Sequence, residues 1–165
     1  MTSALHPSLA TPRLQAYFND YGNYHQTRGN QITHFFGISF ILIGLLGLLS
    51  SLVLGLGFWN PTETAYLRLD GGTLLILLVL PYYFYLDWKI SIPYGFVIFG
   101  LYFLGRALPS TVCWTLFVSG WILQGVGHYR YEKRSPAFFK NFTHLLIGPL
   151  WIFAKMLHYT GDQKL

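Results

Sequence analysis

The chain has 165 residues, of which 53% are hydrophobic and only 10% charged, where a soluble domain carries roughly 25% charged residues. That deficit excludes an ordinary water-soluble globule and points to a protein solvated by lipid. The net charge of +5 suits anionic partners, but the cations gather at the ends of apolar segments, which favours lipid head groups and argues against nucleic acid.

No low-complexity linker or internal repeat divides the chain, so residues 1–165 read as one membrane domain. The single cysteine, Cys113, excludes an internal disulfide and disfavours a cysteine-based metal site. The first thirty residues lack a cleaved signal-peptide pattern, so the first apolar segment is expected to act as the insertion signal.

Thr11 and Pro12 suit an N-cap followed by proline at the first helical position. Leu14, Tyr17, Phe18, Tyr21, Tyr24 and His25 then recur at spacings of three and four, which predicts an amphipathic helix over 11–28, lying on the membrane surface or packed on the bundle. Gly29 and Asn30 interrupt it, and Asn30 suits the cap of a helix entering the membrane. Four candidate spans follow at 34–58, 72–87, 92–108 and 111–128, judged against the roughly 20 apolar residues needed to cross the hydrocarbon core. A last apolar stretch, within 137–159, is broken by Gly148 and Pro149 and reads as a kinked span, a re-entrant hairpin or an interfacial helix. The expected fold is therefore an all-α integral membrane bundle of about four to five membrane segments with an N-terminal amphipathic helix. Placing the N-terminus in the cytoplasm puts Arg13, Arg28, Lys89, Arg130, Lys133, Arg134 and Lys140 on that side, against Arg68 and Arg106 on the other, in line with the positive-inside rule.

An even number of crossings returns His128 to the membrane face where His25 and His34 begin. Three histidines thus converge on the cytoplasmic boundary. Glu132 follows His128 by four residues, which on a continuous helix sets imidazole and carboxylate on one side. Neutral imidazoles bind iron, zinc or copper, and two histidines with a carboxylate and open positions are typical of non-haem Fe(II) oxygenases. The bland alternative is that interfacial histidines hydrogen-bond or anchor head groups. His144 reaches the same layer if the chain folds back after Pro136. Asp87 and Lys89 mark a cytoplasmic turn, with Asp87 a lesser candidate to support a metal. Tyr24, Tyr129 and Tyr131 suit either site hydrogen bonds or an aromatic belt. Arg130, Lys133 and Arg134 are either topogenic charges or the captors of a substrate carboxylate. No phosphate-binding glycine loop, HExxH or GxSxG is present.

The stretch "YHQTRGNQITHFFGI", residues 24–38, resembles the YH(x)4Nx(3)H signature of a known family. Residues 120–137, "GWILQGVGHYRYEKRSPA", are similar to its second signature, W-x-x-Q-x-x-GH-x-x-x-E-K/R-x-PA, and "LIGPLWIFAK" to its closing apolar segment. The family is that of the yeast endoplasmic-reticulum 2-hydroxy fatty acid dioxygenase and its bacterial relatives. The resemblance implies an Fe(II)- and O2-dependent alpha-oxidation of long-chain 2-hydroxy fatty acids to acids one carbon shorter. It implies His25, His34 and His128 as metal ligands and Asn30 and Glu132 as further site residues, with Glu132 either a ligand or the group orienting His128; alongside these, a basic residue among Arg130, Lys133 and Arg134 is expected to steer the head group. His144 matches no clear family histidine, Gly125 stands where a bulky aromatic is common, and Ser39 where proline is common. The expected location is the bacterial inner membrane or the endoplasmic reticulum, with the metal site on the cytoplasmic side. The competing classes are a non-enzymatic lipid-binding or structural membrane protein and another metal-dependent lipid enzyme.

Overall fold

The computed structural model describes residues 8–54, 69–136 and 141–160. Residues 55–58 of the first expected span, 137–140 of the last segment, and the cations Arg68 and Lys140 lie outside them. The described residues form five α-helices, α1 Pro12–Asn23, α2 Arg28–Ser50, α3 Gly71–Ala107, α4 Ser110–Val126 and α5 Thr143–Met156, with a π-helical turn, Gly127–Glu132, continuing α4. The described residues contain no β-strand, only a bridge between Val53 and Asp70.

The caps fix where these helices start. Thr11 accepts a hydrogen bond from the Leu14 N–H ahead of Pro12, as its position suggests. For α2 the cap is Thr27 rather than Asn30: the Thr27 hydroxyl accepts from the Asn30 N–H, so α1 ends at Asn23 and α2 already encloses Gly29 and Asn30. Asp70 and Thr73 form a capping box at the head of α3, and the Tyr102 hydroxyl donates to the second Asp70 oxygen at 2.7 Å.

The expected spans 72–87 and 92–108 are the two arms of α3. Asp87 has non-helical φ −163° and ψ 104° between them. Tyr83 meets Tyr94, with ring centroids 5.5 Å apart, and Asp70 meets Tyr102. Partners so nearly equidistant from Asp87 mean that the arms run antiparallel. The reversal is held by the Asp87 carboxylate, which is 2% exposed and accepts from the Thr11 N–H at 2.9 Å, the Lys89 N–H at 3.1 Å and the Tyr159 hydroxyl at 3.0 Å. Asp87 therefore ties α1, the bend of α3 and the end of α5. Asp87→Ala strips three donors of a buried partner and is expected to cost about 2–4 kcal/mol. Thermal unfolding in detergent checks this, and a melt within a degree of wild type contradicts it.

Helices α2 and α4 also run antiparallel, at backbone contact. A Cβ on Gly120 would lie 2.6 Å from the Gly37 carbonyl and 2.9 Å from the Ile41 nitrogen, so only glycine permits the approach. Further along, Gly44 meets Cys113. This pairing sets the start of α2 beside the end of α4.

Helix α1 lays Leu14, Phe18 and Tyr21 against the bundle, near Ile147, Leu150 and Trp151 of α5. The outer surface is apolar: Phe96, Leu78, Ile122, Trp88 and Trp114 are all more than half exposed. Among the described residues, α2 and α3 are long and apolar enough to cross a membrane by length and composition, α3 as two arms that reverse at Asp87 and not as one continuous span. With 17 and 14 residues, α4 and α5 reach only about 26 and 21 Å.

Candidate metal centre

Three separated segments supply one cluster. His25 lies in the turn between α1 and α2, His34 in the second turn of α2, and His128 in the π-helical turn. They are 3%, 1% and 3% exposed. Their ring centroids stand 4.5 Å (His25–His34), 4.9 Å (His25–His128) and 4.7 Å (His34–His128) apart, with interplanar angles of 72°, 69° and 86°. One ring nitrogen of each lies within 4.8 Å of the other two.

The backbone selects the tautomers. A carbonyl can only accept, so the His25 Nδ1–H donates to the Tyr21 carbonyl at 2.7 Å and the His34 Nδ1–H to the Asn30 carbonyl at 3.0 Å. Both rings then offer their Nε2 lone pairs. His25 Nε2 is buried without a partner, and His34 Nε2 stands 3.1 Å from His128 Nε2. Nitrogens about 2.1 Å from one ion are roughly 3.0–3.4 Å apart. With His25 Nε2 unpartnered and the Nε2 atoms of His34 and His128 facing each other at that spacing, the cluster fits a divalent transition metal, which His25, His34 and His128 could hold.

Burial pulls the pKa of His25 down to about 3, against the opposing effect of the Tyr21 carbonyl, so the ring is neutral at physiological pH. The unfolded chain protonates this ring below about pH 6.5, whereas the folded ring stays neutral to about pH 3. Stability of the metal-free protein should fall as pH drops from 6.5 towards 3, by up to about 1.4 kcal/mol per pH unit for this ring alone. Melts of the metal-free protein at pH 7.5, 6.5 and 5.5 check this; constant or rising stability on acidification contradicts it.

Glu132 braces the cluster. Its Oε1 accepts from the Thr27 N–H at 2.7 Å, the Thr27 hydroxyl at 2.9 Å and the Asn30 amide at 3.1 Å. Burial opposes its charge, but these bonds prevail and hold its pKa below the usual carboxylate range. The carboxylate thus clamps the π-helical turn to the start of α2, one turn before His34. Asn30, fully buried, serves both sides: its amide donates to Glu132 and its carbonyl holds His34. Gly127 makes the close approach possible. A Cβ there would collide with Asn30 Oδ1 and lie 2.5 Å from Thr33 Oγ1 and 2.8 Å from His34 Nδ1. The turn ends at Lys133, whose left-handed φ of 53° directs the chain outward. Arg130, Lys133 and Arg134 are exposed and stand outside the cavity lining.

The triad closes one end of a cavity of about 290 Å³. Its walls are apolar, formed by Ile38, Leu42 and Leu45 of α2, Val79 and Ile98 of α3, and Phe117 and Trp121 of α4. Gln124 and His144 add polar atoms close to the histidines. Such a site can place a polar head at a metal with an acyl chain along the helices.

The sequence reading groups the three histidines correctly in space, assigns Asp87 to a turn, and passes over Thr27, Gly127 and Asp20. Asp20 is the partner of His144, 2.8 Å from its Nε2. Only the glycine immediately before His128 carried a local signal, a small residue where two helices must touch.

No curated protein and no solved structure matches the chain. A family model described as "2-hydroxy-palmitic acid dioxygenase Mpo1-like" matches residues 11–160, nearly the whole sequence and every residue of the site, and the chain belongs to that family.

Proposed function

We propose that the protein is an integral membrane, Fe(II)-dependent dioxygenase that uses O2 to convert long-chain 2-hydroxy fatty acids into acids one carbon shorter. The observation that carries this reading is the convergence of three buried imidazoles, two with backbone-locked tautomers, at the head of an apolar cavity. His25, His34 and His128 would hold the metal. When bound, iron supplies the one-electron chemistry that lets O2 react with the hydroxy acid.

The chain's own residues do the rest. Glu132 and Asn30 keep the π-helical turn and α2 in register, so the ligand nitrogens stay convergent. The acyl chain lies among Ile38, Leu42, Leu45, Val79 and Ile98, which exclude water from the reacting end. Arg130 in the π-helical turn and Lys133 and Arg134 just after it, all exposed, draw the anionic head group or anionic lipid towards the mouth of the site. The apolar outer surface and the two long apolar helices suit a bilayer, and the cation asymmetry favours a cytoplasmic N-terminus and triad.

The test is to load the purified protein with Fe(II) under anaerobic conditions, then add 2-hydroxypalmitate and O2. Release of the fifteen-carbon acid is expected. Iron-loaded protein that consumes no hydroxy acid rejects the reading.

A further inference from the structure

His144 stands beside the triad without belonging to it. It sits in the first turn of α5, is 7% exposed and lines the cavity. Its Nε2 is 2.8 Å from Oδ2 of Asp20 on α1, whose side chain is 52% exposed. Tyr21 links it to the cluster: the Tyr21 ring stacks on His25 at 3.9 Å and stands 5.5 Å from the His144 ring. The group of mutually close ligand atoms comprises His25, His34 and His128.

The hydrogen bonding of His144 is the reverse of that of His25 and His34. His25 and His34 donate from Nδ1 to backbone carbonyls and offer Nε2. In the neutral ring the Asp20 carboxylate accepts the Nε2–H of His144, so Nδ1 carries the lone pair. That Nδ1 is buried and has no partner. A buried acceptor beside an apolar cavity is costly until a donor reaches it.

We infer that His144 Nδ1 accepts the hydrogen bond of the substrate's 2-hydroxyl, with Asp20 fixing the tautomer, so that this pair selects 2-hydroxy acids over unsubstituted fatty acids. The inference rests on the proposed function and adds its specificity determinant. An ionised fatty acid has a carboxylate that only accepts and a Cα without a donor. A 2-hydroxy acid has one O–H at the carbon next to the carboxylate, which is the single donor that this acceptor lacks. His144 acts here as a binding residue and leaves the three metal ligands in place. Sites built to pair a substrate hydroxyl discriminate against analogues lacking it, because the protein group is left unpaired.

The experiment measures binding of 2-hydroxypalmitate and of palmitate to the full chain in detergent, without O2, both iron-loaded and after chelation. Wild type is expected to prefer the hydroxy acid by at least about ten-fold in both states, since an unpaired buried acceptor weakens binding by that order. H144F should bring the ratio to within about two-fold by weakening 2-hydroxypalmitate while palmitate binding persists. Asp20 lies outside the cavity lining, so D20A tests the tautomer lock independently and should reduce the ratio by an intermediate factor. An unchanged ratio in H144F with palmitate binding intact overturns the inference and leaves the proposed function standing. If H144F binds neither acid, D20A decides, and an unchanged ratio there overturns the inference. Wild-type protein that binds neither acid overturns both.

Discussion

His34→Ala is expected to lower metal affinity by more than about a hundred-fold while leaving the helical bundle assembled. Loss of a supporting partner alone costs ten- to a hundred-fold in metal sites, and His34 is proposed as a ligand itself. It is 1% exposed, its Nδ1–H is fixed on the Asn30 carbonyl, and its Nε2 faces that of His128 at 3.1 Å. Alanine leaves two imidazoles and no nearby replacement, because Glu132 already accepts from Thr27 and Asn30. The expected fold cost is modest, since an emptied buried site of this size costs about 2–4 kcal/mol at most. His34→Gln keeps most of the volume and separates the two effects. If both variants melt near wild type and bind no iron, the loss is one of ligation. Iron occupancy equal to wild type in either would remove His34 from the ligand set.

Gly127→Ala is expected to be nearly as damaging, although it removes no ligand. The added methyl group would overlap Asn30 Oδ1 and crowd Thr33 Oγ1 at 2.5 Å and His34 Nδ1 at 2.8 Å. These are side-chain atoms, but Asn30 and His34 are buried and tied by hydrogen bonds to Glu132 and to the Asn30 carbonyl, and Thr33 bonds that same carbonyl, so giving way means breaking these bonds. Either the π-helical turn separates from α2 or the Asn30 bonds to Glu132 and His34 break. Overpacking of this kind costs roughly 1–3 kcal/mol, and misplacing His128 against His34 should cut iron affinity by about ten-fold or more. Gly125→Ala provides the control. A Cβ at Gly125 meets nothing within 4 Å, so stability and iron binding should stay at wild-type values. Equal behaviour of the two variants would show that close approach at Gly127 is not what holds the site.

The contrast between these glycines shows what sequence can and cannot reveal. Both occur in "QGVGH", and composition does not distinguish the one that abuts α2 from the one facing open space. The grouping of His34 with His128 was legible because it depends on the parity of antiparallel runs, which apolar segment lengths determine. The cluster's support was not. Thr27 caps α2 and also donates twice to Glu132, 105 residues away, and no local pattern encodes that second role. The same holds for Asp87: its neighbours suggested a turn, but its partners Thr11 and Tyr159 lie 76 and 72 residues away. The His144–Asp20 pair spans 124 residues and depends on α1 packing on α5. Expected spans 72–87 and 92–108 came from hydropathy, whereas the single-residue break joining them comes from the carboxylate that binds across it.

Membership of the dioxygenase family and the geometry of the triad bear on different questions. The family match covers residues 11–160, and the family's description names a dioxygenase. The triad gives a reason why this chain would hold a metal: three buried rings with one ring nitrogen of each within 4.8 Å of the other two, beside a cavity with apolar walls. The membrane reading rests on separate ground, the apolar exterior and the two long helices.

The most direct test of the account is the metal content of the full chain, extracted in mild detergent, incubated anaerobically with Fe(II) and freed of unbound ions. The account predicts close to one iron per chain, lost when His25, His34 and His128 are replaced together while the helical signal persists. Wild-type protein that retains no iron, or a triple variant that retains as much as wild type, would contradict it.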